Sequence, residues 1–194
     1  MKRGNILSII EEKPKDWSFV VHSAQLENGK LYNFDWRALF EGTIIYDGID
    51  FEFLGDIEVF AEIQRDRNQI IADVRISARC KAPCSRCLET VVLDLEQNFR
   101  YFYTPCDSKE EKIAAEADDH VVVLEGDLGL LDLGDQVWEC VIMALPEKVL
   151  CKEECKGLCP YCGKNLNYGR CDCFKNQVDP RLSPLSRLWK EIEE

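Results

Sequence analysis

Residues 56–80 read DIEVFAEIQRDRNQIIADVRISARC, and the spacing of their apolar residues decides the fold. Ile57, Val59, Ala61 and Ile63 fall on every second position, Asp66-Arg67-Asn68 supplies turn chemistry, and Ala72, Val74, Ile76, Ala78 and Cys80 resume the period of two. Successive side chains of a strand point to opposite faces, so each run gathers its apolar groups on one side. A third run keeps the same phase through Val91, Leu93, Leu95, Phe99, Tyr101 and Tyr103, broken only at Gln97. Three alternating runs in succession predict an antiparallel meander with one face covered.

Outward from these runs the pattern is weaker. Upstream, Trp17-Ser18-Phe19-Val20-Val21 has strand character, and Asp35 to Glu41 reads as a short helix or loop. Downstream, residues 107–119 are mostly charged or small and read as a mobile surface connection, with Val121 to Leu124 as one more strand. Asp132 reads as a helix N-cap, with Asp135 near the positive end of the dipole. Leu133, Val137, Val141 and Leu145 lie four apart, Trp138 and Ile142 widen the apolar face, and Pro146 stops the helix. The expected fold is therefore α+β: an antiparallel β-sheet or partly open barrel with a packing helix near 133–145 in residues 1–148. A Cys-rich zinc-binding tail follows over 149–194, closing in an amphipathic run of Leu185, Leu188, Trp189 and Ile192.

A chain of 194 residues has room for one medium domain and a small appendage. Its apolar stretches fall far short of the roughly 20 residues of a membrane span. Ile6 to Ile10 is too short for a secretory core, and Glu11 and Glu12 follow it, so a cytoplasmic protein is expected. Eleven cysteines, an odd number, then argue against a disulfide framework and for metal or redox chemistry. The net charge of −12 makes general affinity for phosphates unfavourable, but it is uneven. Residues 1–150 hold sixteen basic and twenty-nine acidic groups, whereas Cys151 to Lys190 holds eight basic against four acidic. An anionic partner would meet the tail, through Lys152, Lys156, Lys164, Arg170 and Lys175, and a basic one the body. Four thiolates on one Zn²⁺ would offset part of the tail's advantage.

The tail carries Cys151, Cys155, Cys159, Cys162, Cys171 and Cys173. In Cys159-Pro-Tyr-Cys162-Gly163 two sulfurs on a tight turn can face one ion, and Gly163 permits the positive φ such a turn needs. Cys171 and Cys173 supply return ligands some eight residues later. Leu158, Tyr161, Leu166 and Tyr168 are too few apolar residues to fold this segment alone, and metal binding can supply the missing folding energy. Cys159 and Cys162 form one pair; two more ligands come from Cys155, Cys171 and Cys173, with Cys151 a further candidate. A second C-x-x-C, Cys84-Ser85-Arg86-Cys87, falls at the tip of the hairpin between two expected strands. It reads either as a zinc knuckle completed by surplus tail cysteines or as a turn with two ordinary thiols. Cys80, Cys106 and Cys140 read as structural.

Redox C-x-x-C motifs sit at a helix N-terminus after a strand, and neither motif here has that context. His22 and His120 sit in no catalytic constellation, and no nucleophile elbow, Walker loop or dinucleotide fingerprint occurs. A non-enzymatic binding protein is expected.

Cys84-Ser-Arg-Cys87-Leu88-Glu89 between strands, the Leu133 to Pro146 helix ending in Ala-Leu-Pro, Cys155-Lys-Gly-Leu-Cys-Pro-Tyr-Cys-Gly-Lys-Asn-Leu-Asn167 and Asp179-Pro-Arg-Leu-Ser-Pro-Leu185 together resemble the bacterial YceD family. The resemblance covers about the last two-thirds of the chain. It implies a role in accumulation of large-subunit ribosomal RNA, in a family often encoded beside a zinc-binding large-subunit ribosomal protein. It implies no catalytic residues and fixes no ligand set, because members differ in how many tail cysteines they keep. The expected partner is thus large-subunit ribosomal RNA or a basic ribosomal protein, without a small-molecule substrate. The alternative is a zinc-dependent protein interaction module, or ribosomal-protein chaperone, without RNA contact.

Overall fold

In a computed structural model, residues 12–106, 120–125 and 129–175 are described; the side chains of Cys106, Glu125, Phe174 and Lys175 are not. The expected surface connection at 107–119 and the closing segment with its amphipathic run lie outside these residues. The strands are β1 Val20–His22, β2 Leu31–Ala38, β3 Thr43–Tyr46, β4 Ile49–Phe53, β5 Ile57–Asp66, β6 Gln69–Pro83, β7 Thr90–Cys106, β8 Val121–Glu125 and β9 Leu130–Asp132, followed by helix α1 Gly134–Met143.

The quoted stretch forms the middle of a seven-stranded sheet. β5 and β6 pair antiparallel from Glu58↔Ser77 to Asp66↔Gln69, and β6 and β7 from Ile70↔Tyr103 to Pro83↔Thr90. The period of two has its expected consequence: Ile57, Val59, Ala61, Ile63, Ala72, Val74, Ile76 and Cys80 are all buried, while their neighbours along each strand are more exposed. β2 pairs with β5, β4 pairs with β6 beyond the end of β5, and β3 extends β4 outward. β1 and β9 form a separate antiparallel pair. Among the described residues no pairing joins β2 to β8, so the sheet is open rather than closed into a barrel.

Two expectations are corrected here, and one hairpin is added. Asp35 to Glu41 is neither helix nor loop through Ala38: it is the second half of β2, whose Tyr32, Phe34, Trp36 and Ala38 alternate with exposed Asn33, Asp35 and Arg37. Starting the reading at Asp35 cut this alternation in half. β8 pairs parallel to β7, from Phe102↔Val121 to Cys106↔Glu125, so the sheet is mostly rather than wholly antiparallel. β3 and β4 went unread, although Asp47-Gly48, both at positive φ, makes the two-residue hairpin turn that this dipeptide favours.

Helix α1 starts after Leu133, one residue later than the Asp132 cap reading placed it. Asp132 still satisfies a helix N–H: its Oδ1 accepts from Gly134 N and from Phe19 N, each at 2.9 Å, and its Oδ2 accepts from Ser18 Oγ at 2.9 Å. Val137, Cys140 and Val141 are buried on one face of α1. Tyr103 Oη donates to Gln136 Oε1 at 2.9 Å and Tyr101 Oη to Glu139 Oε2 at 3.1 Å, joining α1 to β7. Around this lies an aromatic cluster in which Trp17 meets Phe19, Phe40 and Trp138 edge-on at centroid distances of 5.5–6.0 Å.

The chain divides into two compact units, Met1–Pro83 with Thr90–Val149, and Cys84–Glu89 with Leu150–Glu194. The first holds the whole hydrophobic core. In the second, the buried side chains among the described residues are Cys84, Cys87, Cys155 and Cys159, so its interior is built of sulfur.

Candidate metal centre

Two six-residue turns shape the second unit, and they repeat one backbone pattern. In the first, Cys84 N–H donates to Glu89 C=O at 2.8 Å and Leu88 N–H to Cys84 C=O at 2.9 Å. In the second, Cys159 N–H donates to Lys164 C=O at 2.8 Å and Gly163 N–H to Cys159 C=O at 2.9 Å. The residue after the second cysteine has positive φ in both, +61° at Leu88 and +71° at Gly163. Each is a knuckle that turns two sulfurs to one side and aims backbone N–H groups at them. The spacing C-x-x-C-x-[Glu/Lys] is thus a geometric device used twice, once with the glycine the conformation favours and once without.

Each knuckle is completed by two more cysteines. Cys84, Cys87, Cys151 and Cys155 form one cluster, and Cys159, Cys162, Cys171 and Cys173 the other, with the Sγ atoms of each within 4.8 Å of one another. In the first, Cys84 and Cys155 sulfurs lie 3.8 Å apart and those of Cys87 and Cys151 3.6 Å apart. Four sulfurs at about 2.3 Å from a central ion in tetrahedral geometry would be separated by about 3.8 Å. The donor sets and spacing fit a metal ion at each cluster.

The sequence reading placed Cys155 among candidates for the Cys159 and Cys162 site; the structure groups it with the hairpin tip. Cys151, a further candidate only, joins it there, while Cys171 and Cys173 fall to the tail knuckle. Of the remaining thiols, Cys80 and Cys140 are fully buried, and burial first of all pushes both up to about 11, which suits inert core residues.

The thiols of the clusters are polarised by their surroundings. At Cys84 burial opposes ionisation, but N–H groups of Arg86, Cys151 and Cys87 outweigh it and bring the thiol down to about 6; the Cys151 N–H lies 3.4 Å from the sulfur. At Cys159 the Cys162 and Tyr161 N–H groups bring the thiol down to about 7. Cys155 is lowered first by Asn167, whose Nδ2 donates to its sulfur at 3.3 Å. Cys173 is pushed up to about 12, chiefly by its hydrogen bond with Cys162. In each cluster the knuckle's N–H groups favour the thiolate form of its first cysteine, the form that ligates a cation.

Three supporting residues went unread. Asn167 holds Cys155 and also accepts from Lys156 N at 2.9 Å, locking the two ends of the loop together. Arg86 donates from Nη1 to the carbonyls of Cys155 at 2.9 Å and Glu153 at 3.3 Å, fixing the strand of ligands opposite its own knuckle. The Cys87 Sγ lies 3.7 Å from Glu89 Oε2. Nothing local to Asn167 or Arg86 in the sequence announces these contacts, because each depends on a partner far along the chain.

Of the residues expected to meet a partner, Lys152, Lys156, Lys164 and Arg170 are all exposed. Lys164 Nζ donates to Arg170 C=O at 3.0 Å, and Lys156 and Arg170 line one groove. Lys175 ends a 3-10 turn from Asp172, and its side chain is not among those described. No described helix is long and apolar enough to cross a membrane.

Comparison with known proteins agrees with the region so built. Residues 72–189 match the model of the family described as large ribosomal RNA subunit accumulation protein YceD. The chain is 29% identical over 148 residues to the uncharacterized protein YlbN of Bacillus subtilis, covering 75% of this chain and 81% of that one. It is 30% identical over 64 residues to the chloroplastic large ribosomal RNA subunit accumulation protein YCED homolog 1 of Arabidopsis thaliana, covering 33% of this chain and 20% of the relative. No solved structure matches.

Proposed function

The chain belongs to the YceD family, whose description ties it to large-subunit ribosomal RNA, and from that premise we propose that it is a non-enzymatic cytoplasmic factor supporting accumulation of that RNA. Its C-terminal unit is a two-zinc module that carries the RNA contact. The observation that carries this reading is the pair of four-cysteine clusters on repeated knuckles. Four thiolates in tetrahedral spacing are the donor set of structural zinc, and such a site has no open position for a substrate or water. Exchange-inert sites of this kind serve shape rather than turnover.

RNA is favoured over other anionic partners for the tail because the family is described by its ribosomal RNA and Lys152, Lys156, Lys164 and Arg170 are exposed. The test is binding of the zinc-loaded full chain to large-subunit ribosomal RNA across a salt series. A variant with Lys152, Lys156, Lys164, Arg170 and Lys175 changed to Gln should bind more weakly and show a flatter salt slope. Unchanged binding in that variant removes the tail–RNA contact.

A second reading rests on the other half of the charge distribution. Residues 1–150, with twenty-nine acidic groups against sixteen basic, suit a basic ribosomal protein. A pull-down that recovers one basic protein after nuclease treatment favours it.

A further inference from the structure

The groove lined by Lys156, Leu166, Tyr168, Gly169 and Arg170, of about 820 Å³, lies in the second unit and borders both thiol clusters, through Cys171 and through Asn167, whose Nδ2 donates to the Cys155 sulfur. Tyr168 is 77% exposed there. Its neighbour Gly169 places no side chain over it, and the space around the Gly169 Cα is open. Glu89 stands near the Tyr168 hydroxyl, and its carboxylate pushes the phenol up from its usual range. Two cations, Lys156 and Arg170, border the same groove, and Lys164 reaches the Arg170 carbonyl.

The charge of the unit decides between two ways of holding RNA. Residues 84–89 and 150–175 carry six basic groups, Arg86, Lys152, Lys156, Lys164, Arg170 and Lys175, against Glu89, Glu153, Glu154 and Asp172. Each ion with four thiolates would add about −2. Broad phosphate tracking, which needs many cations, is therefore out of reach. A short contact that adds a base-stacking surface to a few phosphate contacts is not.

Resting on the RNA reading above, we propose that this groove binds an unpaired nucleotide of single-stranded RNA, its base stacked on Tyr168 and its flanking phosphates held by Lys156 and Arg170. Bases offer a π-face whatever their identity, so the site is tolerant of sequence and selective for unpaired over duplex RNA.

The experiment uses the zinc-loaded full chain and fluorescence anisotropy with a labelled seven-nucleotide oligoadenylate RNA, and the same backbone carrying abasic positions. Tyr168→Phe, which keeps the ring, should bind within about threefold of wild type. Tyr168→Leu, which keeps apolar bulk without a π-face, should lose about tenfold or more, and the abasic strand should lose as much with wild type. Lys156→Gln with Arg170→Gln should weaken binding and flatten the salt dependence by about two phosphates' worth. All variants are compared at equal metal content, so that loss of fold is not counted as loss of contact. Equal binding by Tyr168→Leu, or of the abasic strand, with weakening in the charge variant overturns the stacking site while leaving the RNA reading standing. Failure of wild type to bind either strand overturns the stacking site, and failure to bind large-subunit ribosomal RNA as well overturns both.

Discussion

At the scale of single residues, the two knuckles differ most at Leu88 and Gly163, which share a positive φ. An L-residue in that conformation costs roughly 1–2 kcal/mol, whereas glycine adopts it freely but loses more entropy on folding. Leu88 is 65% exposed, so little burial is lost on its removal. Leu88→Gly should therefore leave metal affinity equal or slightly raised. Leu88→Val, β-branched at positive φ, should weaken it, with chelator competition at the Cys84 cluster as the readout. Asn167 acts on the same cluster through its N–H···S bond to Cys155. Asn167→Leu should lower metal affinity there by about tenfold, while Asn167→Asp, which cannot donate, should lower it at least as much. Spacing grouped the cysteines that are close in sequence, Cys159 with Cys162 and Cys84 with Cys87, as the structure groups them. It left Cys151 and Cys155 open because their partners stand more than sixty residues away, and nothing in local spacing assigns them.

Elements were legible where a long run repeats the period of two. β5 and β6 carry unbroken alternation because their inner faces are buried along most of their length, and β7 keeps it except at Gln97. β3 and β4, though they bury Ile44, Phe51 and Phe53, are too short to show it. β2 carries it too, through Tyr32, Phe34 and Trp36, but its exposed Asp35 and Arg37 resemble loop chemistry when read from the middle. The parallel pairing of β8 could not be read, since strand direction depends on the path of the chain between 106 and 121 and not on the strand's own residues. The start of α1 rests on Asp132. Burial works against its ionisation, but N–H groups of Phe19 and Gly134, the Ser18 hydroxyl and the Lys13 charge together hold its carboxyl below the usual range. A carboxyl lowered in the folded state stabilises above its unfolded pKa and loses that contribution as pH falls through the folded one. Thermal unfolding of the wild type should thus lose stability below about pH 4, and Asp132→Asn should be less stable at pH 7 with a shallower loss on acidification. The two melting curves against pH are the check, and parallel curves would deny Asp132 this role.

Across the whole molecule, the two units are stabilised by different physics. Met1–Pro83 with Thr90–Val149 buries an aromatic and aliphatic core, and Cys84–Glu89 with Leu150–Glu194 buries thiols. A segment so poor in apolar side chains cannot offset the entropy of ordering its backbone without bound metal. The charge asymmetry runs along the chain, with twenty-nine acidic against sixteen basic groups in residues 1–150 and eight basic against four acidic from Cys151 to Lys190. All of this turns on the clusters holding ions. The most direct measurement is zinc per chain by elemental analysis of full-length protein purified without added metal, paired with a count of reactive thiols. Two zinc ions, with none of the eight cluster cysteines labelling in the native protein until a chelator removes the metal, is the result the account predicts. No zinc, with the eight cluster cysteines labelling rapidly in the native protein, would contradict it.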